Sequence, residues 1–403
     1  MIGGEPLAQR KKRLQSLLLT IASLGLVITG MSGVTRAATE SSVNLSPNAK
    51  AAILLDATTG TVLYAKNEHA RLPIASVTKV ATMLLIMEAI ERGQVKLSDP
   101  VRTSEHAASM GGSQIFLEPG EQMTLRDMLK GIALASANDA AVAVAEHIAG
   151  SEQTFVQMMN SKVKTMQLVD THFSNTNGLP VHGHYSSAYD IAQLSRELLK
   201  HDGITAFTGV YSDYLRKGST HPFWLVNTNK LVRFYSGMDG IKTGFTADAK
   251  YCLAASAKRN EFRVIAVVLG EPSSKVRNAE VTSMMNYAFS NYGIRQIYHK
   301  GQIIAMVPIS RGEWQAVGGV ATRSVGVLVN KMDRKETGSI VTELQTLTAP
   351  IKKGQVIGHI RLLHEGKSID SVPVVATADV ARVSLFEMIG RAMKRMLLFG
   401  VTR

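Results

Sequence analysis

The sequence contains one cysteine, Cys252, among 403 residues. A single thiol excludes an intramolecular disulfide framework and every metal site built from several cysteines. Cys252 stands in an apolar run, which favours a buried structural thiol over a reactive one. Acidic residues are also scarce relative to basic ones, 32 against 45, which gives a net charge of +13. This excess suggests an anionic partner without identifying it.

The chain also lacks a fixed-period repeat and a low-complexity linker. Apolar residues make up 45% of the sequence and charged residues 19%, a balance typical of globular proteins and not of disordered ones. A length of 403 residues allows two or three domains of ordinary size.

Residues 1–37 have the three-part pattern of a secretory signal peptide. The basic cluster 10–13 precedes an apolar stretch over 14–34, and small residues precede a cleavage point after Ala37. The stretch is also long enough for a retained transmembrane helix, but the polar residues that follow favour cleavage. We therefore expect an exported protein, which argues against nucleic acid as its partner.

Residues 382–403 form an amphipathic pattern. Apolar residues recur at helical spacing, with Glu387, Arg391, Lys394 and Arg395 on the opposite side. Such a helix suits an anionic membrane surface, where it would lie flat and hold the protein peripherally. A terminal helix docked on its own domain would show the same pattern. We expect the membrane-anchoring helix, and with it a location at the outer face of the cytoplasmic membrane, against the cell wall.

Two kinds of pattern lie between these ends. Residues 45–292 combine two hairpins, 51–65 and 251–269, with helical segments between them, so one sheet should join both ends of this domain. The predicted helical segments are 77–91, 125–134, 140–148, 155–168 and 188–199. Residues 297–381 instead contain short β-type runs separated by glycine, and predict a small all-β domain.

The first chemical motif is Ser76-Val77-Thr78-Lys79, at the start of a predicted helix. Residues three apart share a helix face, so the Lys79 ammonium can reach the Ser76 hydroxyl. Lys79 could act as the base for a nucleophilic Ser76 if burial or a neighbouring cation lowers the lysine pKa. Alone, this spacing is common by chance.

Two further motifs follow in order. Ser136-Ala137-Asn138 has side chains that could be ordinary helix N-caps, or a proton relay (Ser136) and a substrate-binding amide (Asn138). Lys242-Thr243-Gly244 could be a turn bracketed by glycines. It could equally be a strand beside a cleft, in which Lys242 supplies a fixed positive charge, Thr243 a hydroxyl for a carboxylate, and Gly244 room for close approach.

Taken together, the three motifs resemble the signature of the penicilloyl serine transferases, S-x-x-K, S-x-N and K-T-G. Within that group the sequence resembles a low-molecular-mass penicillin-binding protein, a serine D-alanyl-D-alanine carboxypeptidase. The resemblance implies an α/β (α+β) catalytic domain of the β-lactamase/transpeptidase type, with an antiparallel sheet and a helical cluster. It also accounts for the all-β domain and the terminal amphipathic helix.

The resemblance implies a role for each motif residue. Ser76 would be the acyl acceptor, Lys79 its base and Ser136 a catalytic neighbour. Asn138, Lys242, Thr243 and Gly244 would bind substrate, and the backbone N–H groups of Ser76 and Thr246 would form the oxyanion hole. The substrate would be a peptidoglycan stem peptide ending in D-Ala-D-Ala, with β-lactams as acylating inhibitors and no metal or cofactor.

Two alternatives use the same residues. A serine β-lactamase would need a Glu-x-x-x-Asn segment to activate water, but Val156 stands four residues after Glu152. A muropeptide-binding module without turnover predicts a broken motif, and all three motifs are intact. The pair His182 and His184 lacks a suitably spaced third ligand for zinc, so we expect both histidines in a surface loop.

Overall fold

The computed structural model describes residues 43–390, except 221, 333–335, 337, 365, 385 and 388. The strands of its first part are β1 (Ala51–Asp56), β2 (Val62–Lys66), β3 (Pro100–Arg102), β4 (Gln122–Thr124), β5 (Ser212–Leu215), β6 (Phe223–Val226), β7 (Met238–Thr246), β8 (Lys250–Arg259) and β9 (Phe262–Glu271). The helices are α1 (Lys79–Glu91), α2 (Glu105–Ala108), α3 (Leu125–Lys130), α4 (Asn138–Ala149), α5 (Glu152–Thr165), α6 (Ala188–Leu198), α7 (Thr205–Thr208), α8 (Leu231–Phe234) and α9 (Ser274–Asn291). A 3-10 turn over Ala75–Thr78 leads into α1.

An antiparallel five-stranded sheet with the order β2-β1-β9-β8-β7 forms the centre of this part. Strand β1 pairs with β9, with Ile53 opposite Val267, so both ends of the segment meet in one sheet. The two predicted hairpins are β1–β2 and β8–β9. The mixed fold with an antiparallel sheet and a helical cluster is confirmed.

Both faces of the sheet are covered, and the residues of β1 show why. Ala51, Ile53 and Leu55 pack into the core shared with the helical cluster, while Ala52 and Leu54 pack into a second core with α9. Successive side chains of a strand point to opposite faces, so a strand buried on both faces reads as a continuous apolar run. Cys252 of β8 is fully buried, as expected.

Helix α9 was not among the predicted helical segments. It spans eighteen residues and is capped by Ser273, whose side chain accepts a hydrogen bond from the Val276 N–H. Its buried face includes the charged residues Arg277 and Glu280 beside Val281 and Met284. These buried charges obscured the apolar period from which helices are predicted.

The second part is all β, as predicted. Its strands are β10 (Tyr292–Tyr298), β11 (Ile303–Ser310), β12 (Ala316–Ala321), β13 (Val325–Asn330), β14 (Ser339–Leu344), β15 (Leu347–Thr348), β16 (Val356–His364) and β17 (Lys367–Ala376). Six of them form a sheet with the order β14-β16-β17-β12-β11-β15, and β10 pairs with β13.

The expected boundary at residue 381 falls inside ordered β structure. Arg382 forms a β-bridge with Gly312, and the Val383 N–H donates to the Arg311 carbonyl. Val383 is also 6% exposed, so the ordered β part extends to at least this residue.

The predicted signal peptide and most of the predicted terminal helix lie outside the described residues. Within the described part of the chain, no helix is both long and apolar enough to cross a membrane. The membrane-anchoring helix therefore stays a prediction.

Candidate active site

Ser76 lies in the 3-10 turn before α1, and the backbone reaches it through an unusual conformation. Ala75 has a φ of 48°, in the left-handed region that L-residues other than glycine seldom adopt. This bend leaves Ser76 half-exposed while Ala75 and Val77 on either side are buried. The Lys79 Nζ lies 3.1 Å from the Ser76 Oγ, as the spacing of three residues predicts.

Lys79 is completely buried. Its Nζ lies 2.6 Å from the Asn138 Oδ1 and 2.7 Å from the Asn177 carbonyl oxygen. Burial lowers the pKa of Lys79 well below its ordinary value, the charge of Lys242 lowers it further, and Asp139 opposes both. The pKa shift therefore favours the neutral amine.

The geometry around Lys79 also accommodates that neutral amine. An uncharged amine has two N–H groups and one lone pair. Donation to Asn138 and Asn177 uses both N–H groups, because those oxygens can only accept. The lone pair is then left for the Ser76 hydroxyl, which is the arrangement that a general base requires.

The second motif is placed on the turn into α4. Ser136 has a φ of 66° and is 4% exposed. The N-cap residue of α4 is Ala137, whose apolar side chain makes no capping hydrogen bond. The N-cap interpretation of Ser136 and Asn138 is therefore wrong.

Asn138 and Asp139 instead hold the loop 111–117. The Asn138 Nδ2 donates to the Gly111 carbonyl at 2.7 Å, which leaves one amide N–H for a substrate. The Asp139 carboxylate accepts from the N–H groups of Ile115 and Leu117. Loop 111–117 thus fixes the amide that contacts Lys79.

The third motif lies on β7, the strand at one edge of the five-stranded sheet. Thr243 donates its hydroxyl to the Thr228 Oγ1 at 2.7 Å. A Cβ on Gly244 would lie 2.6 Å from the Ile74 carbonyl oxygen and 3.1 Å from the Val77 nitrogen. Glycine is required here because β7 runs directly against the turn that carries Ser76, so the turn interpretation is wrong and the strand interpretation is confirmed.

The environment of Lys242 bears on the expectation that it supplies a fixed positive charge. It is 1% exposed, and its Nζ donates to the Thr243 carbonyl at 2.9 Å. Burial, reinforced by the charge of Arg277, lowers the pKa of Lys242 to about 7. Its positive charge is therefore not fixed, since it titrates near neutral pH.

A cleft of about 400 Å³ opens beside the Ser76 turn. Thr246, at the end of β7, lines it together with Ile74, Leu179 and Val181. The structure thus brings Ser76, Lys79 and Asn138 into contact and sets β7 against the Ser76 turn. The cleft opens beside them, at Ala75 and Thr246.

Sequence reasoning missed the contributions of the loop 174–184. Asn177 supplies a carbonyl to Lys79 from 98 residues away in the chain, a contact that no local pattern indicates. His184 is half-buried, with its Nε2 2.7 Å from the Thr78 Oγ1. The expected surface-loop position holds for His182, which is exposed, and is wrong for His184.

Glu152, the acidic residue considered under the β-lactamase alternative, makes its contacts away from Ser76. Its carboxylate accepts from the Thr176 N–H and hydroxyl, and its other oxygen lies 2.9 Å from the His106 Nε2. These contacts hold the chain before Asn177 and do not direct the carboxylate at Ser76.

Comparisons with known families match both parts of the chain. The family model for D-alanyl-D-alanine carboxypeptidases matches residues 36–273, and the model for the C-terminal domain of penicillin-binding protein 5 matches residues 292–382. A D-alanyl-D-alanine carboxypeptidase of Bacillus subtilis, DacF, is 49% identical over 350 residues, which cover 87% of this chain and 90% of that protein. DacA of Escherichia coli is 33% identical over 84% of this chain and 85% of its own length.

Solved structures give the same result. Penicillin-binding protein 5 from Haemophilus influenzae superposes with a TM-score of 0.63 at 30% identity, covering 83% of this chain and 98% of that one. A peptidoglycan synthesis regulatory factor, PBP3, from Streptococcus pneumoniae superposes with a TM-score of 0.66 at 28% identity, covering 83% of this chain and 99% of that one.

Proposed function

Because the chain belongs to the D-alanyl-D-alanine carboxypeptidase family of serine peptidases, we propose that it removes the terminal D-alanine from peptidoglycan stem peptides through an ester on Ser76. The observation that carries this proposal is the environment of Lys79. Its buried Nζ lies within hydrogen-bond distance of two groups that can only accept, and 3.1 Å from the Ser76 Oγ. A neutral amine that donates to both acceptors would direct its lone pair at the Ser76 hydroxyl.

In the acylation step, Lys79 takes the proton of the Ser76 hydroxyl as the Oγ attacks the carbonyl carbon of the penultimate D-alanine. The backbone N–H groups of Ser76 and Thr246 stabilise the oxyanion that forms. The C–N bond then breaks, and the leaving D-alanine amine receives the proton from Lys79 through the Ser136 hydroxyl. Water then attacks the carbonyl carbon of the Ser76 ester, and Lys79 takes a proton from it. As the ester C–O bond breaks, Lys79 returns that proton to the Ser76 Oγ.

Binding residues orient the peptide for this attack. Lys242, when charged, holds the terminal carboxylate together with Thr243, whose hydroxyl proton turns from the Thr228 Oγ1 to the carboxylate when substrate binds. The remaining N–H of the Asn138 amide holds a backbone carbonyl of the substrate. A β-lactam presents a carboxylate and a strained amide in the same relation, so it would acylate Ser76 as a substrate mimic.

We further propose that the protein is exported and acts at the outer face of the cytoplasmic membrane. The support is the signal-peptide pattern over residues 1–37 and the amphipathic pattern after residue 384. A wall-trimming enzyme held at that surface would stay near its polymeric substrate.

The ester is tested with penicillin and intact-protein mass spectrometry. Wild type should gain the mass of one penicilloyl group, and Ser76→Ala should gain none and release no D-alanine from a muropeptide ending in D-Ala-D-Ala. Ser113→Ala, at an exposed position in the neighbouring loop, serves as the matched serine control and should be labelled normally. A penicilloyl adduct on Ser76→Ala would refute Ser76 as the nucleophile.

A further inference from the structure

A line of hydrogen bonds joins the loop 174–184 to the turn that carries Ser76. The Ser174 N–H donates to the His184 Nδ1 at 3.1 Å. The His184 Nε2 lies 2.7 Å from the Thr78 Oγ1, which lies 2.7 Å from the Ala75 carbonyl oxygen. The line ends on the residue directly before the nucleophile.

Proton counting gives each bond its direction. The Ala75 carbonyl can only accept, so the single hydroxyl proton of Thr78 is donated to it. The Thr78 oxygen must then accept from His184, and the Nε2 carries a proton. Because the Nδ1 accepts from Ser174, it carries none, and His184 is the neutral Nε2–H tautomer.

The surroundings of His184 favour this neutral form. Burial lowers the pKa of His184 to about 4, and the charges of His172 and Lys79 act in the same direction. Phe173 packs against the imidazole with an edge-to-face geometry at 5.7 Å.

Ala75 is a residue that needs such support. Its left-handed φ of 48° is a strained conformation for an alanine. Its carbonyl also lies against Gly178, where a Cβ would come within 2.0 Å of the Ala75 oxygen. The neighbouring Asn177 carbonyl contacts Lys79, so this loop touches both the nucleophile's turn and the base.

We propose that His184 is a positioning residue for acylation, acting through Thr78 to hold the Ala75 carbonyl and thereby the orientation of the Ser76 hydroxyl toward Lys79. This inference rests on the proposed role of Ser76 and adds a residue outside the three motifs. His184 also lines the cleft, so its positioning effect is identified as the part of its contribution that disappears when Thr78 loses its hydroxyl.

The test measures the second-order rate constant of acylation by penicillin. His184→Phe keeps a planar ring without a donor and should acylate about tenfold more slowly, the effect of losing one buried hydrogen bond. His184→Gln places an amide N–H near the position of Nε2 and should stay within about threefold of wild type. His299→Phe, at an exposed histidine of the β part, is the matched control and should match wild type.

A double-mutant cycle separates positioning from general loosening of the loop. Thr78→Val should slow acylation, and adding His184→Phe to it should slow acylation by less than about twofold more. The proposal is overturned if His184→Phe acylates like wild type, if His184→Gln is as slow as His184→Phe, or if the two losses multiply.

A measurement on the unmutated protein covers the case in which a variant fails to fold. The ¹⁵N spectrum of the imidazole side chains, with His184 assigned from the signal missing in His184→Gln, should show a protonated Nε2 and an unprotonated Nδ1 down to about pH 5. The opposite tautomer overturns the proposal. Failure of Ser76 as nucleophile would appear separately, as penicilloylation of Ser76→Ala.

Discussion

The proposed mechanism places opposite requirements on two buried lysines. Lys79 must be neutral to accept a proton, whereas Lys242 must be charged to bind a carboxylate. Each destabilises the charge of the other, so the two protons leave in steps that belong to the pair. The pH dependence of activity should therefore depend on both residues.

We expect kcat/KM to follow a bell-shaped pH profile. Raising the pH removes the proton from Lys79 and increases activity, because its neutral form is the base. A further increase in pH removes the proton from Lys242, whose pKa is lowered to about 7. The enzyme then binds the substrate carboxylate less tightly. Lys242→Arg keeps its charge at high pH, so the falling limb should vanish in D-alanine release assays.

The same D-alanine release assay also tests Lys79 as the base. Lys79→Arg should retain less than about a hundredth of wild-type turnover, because a guanidinium is not a base at these pH values. An unchanged falling limb in Lys242→Arg would contradict the assignment of that limb to Lys242.

At the scale of elements, strand β7 and the Ser76 turn are held in direct backbone contact at Gly244. Gly244→Ala places a methyl group 2.6 Å from the Ile74 carbonyl oxygen, so the strand must move away from the turn. We expect acylation by penicillin to slow by at least about a hundredfold, since small misplacements of reacting groups have effects of that size. Gly218→Ala, with nothing within 4 Å of its Cβ, is the control, and equal acylation by both variants would contradict the close-contact argument.

A buried carboxyl pair joins β9, α9 and the segment before β1. Glu280 accepts from the backbone and side-chain N–H groups of Asn48 and from the Ala49 N–H, which stabilises its charge. Glu271 is fully buried beside it, and burial, followed by Glu280, raises the pKa of Glu271 to about 8 against the opposing charges of Lys66 and Arg277. Glu271 is therefore mainly a neutral acid at neutral pH.

This raised pKa makes the free energy of unfolding depend on pH. The folded state holds the Glu271 proton more tightly than the unfolded state, so its stabilising effect is complete below about pH 4.5 and is lost as the pH rises through about 8. Glu271→Gln is neutral at every pH and should melt at least about 3 °C above wild type at pH 9, with the difference shrinking toward pH 5. Glu261→Gln, at an exposed acid, is the control, and a melting difference independent of pH would contradict this account.

At the scale of the whole molecule, the described fold reaches at least Val383, which packs on the β part. The remaining apolar and cationic residues lie beyond it, and Phe386 is 86% exposed. Residues 385–403 hold four basic side chains and one acidic side chain, which would favour an anionic lipid surface by about 1 kcal/mol per nearby cation. This segment is the proposed anchor.

A chain that ends after Ser384 should therefore fold, acylate with penicillin and release D-alanine from small peptides at the wild-type rate. It should no longer sediment with phosphatidylglycerol vesicles, whereas the chain from Ala38 to Arg403 should sediment and be released by added salt. Ending after Ser384, rather than at 381, keeps the Arg382 bridge and the buried Val383. Equal sedimentation of both chains would place the membrane contact elsewhere.

Much of the fold follows from the sequence because its signals are local. Strands buried on both faces are continuous apolar runs, and the hairpins β1–β2 and β8–β9 show such runs on both sides of short turns. Ser76 and Lys79 are three residues apart, so one helical turn is enough to bring the hydroxyl and the amine together. The order and spacing of the three motifs then determine the family and the candidate nucleophile.

Tertiary structure decides what those residues can do. The acceptors that leave the Lys79 lone pair for Ser76 come from positions 59 and 98 residues away in the chain, and no local pattern predicts such contacts. The same holds for His184 against Thr78, and for the titrating charge of Lys242, which depends on burial and on Arg277. A pKa, a tautomer and the direction of a lone pair are properties of the assembled surroundings, because desolvation and hydrogen bonding act through space and not along the chain.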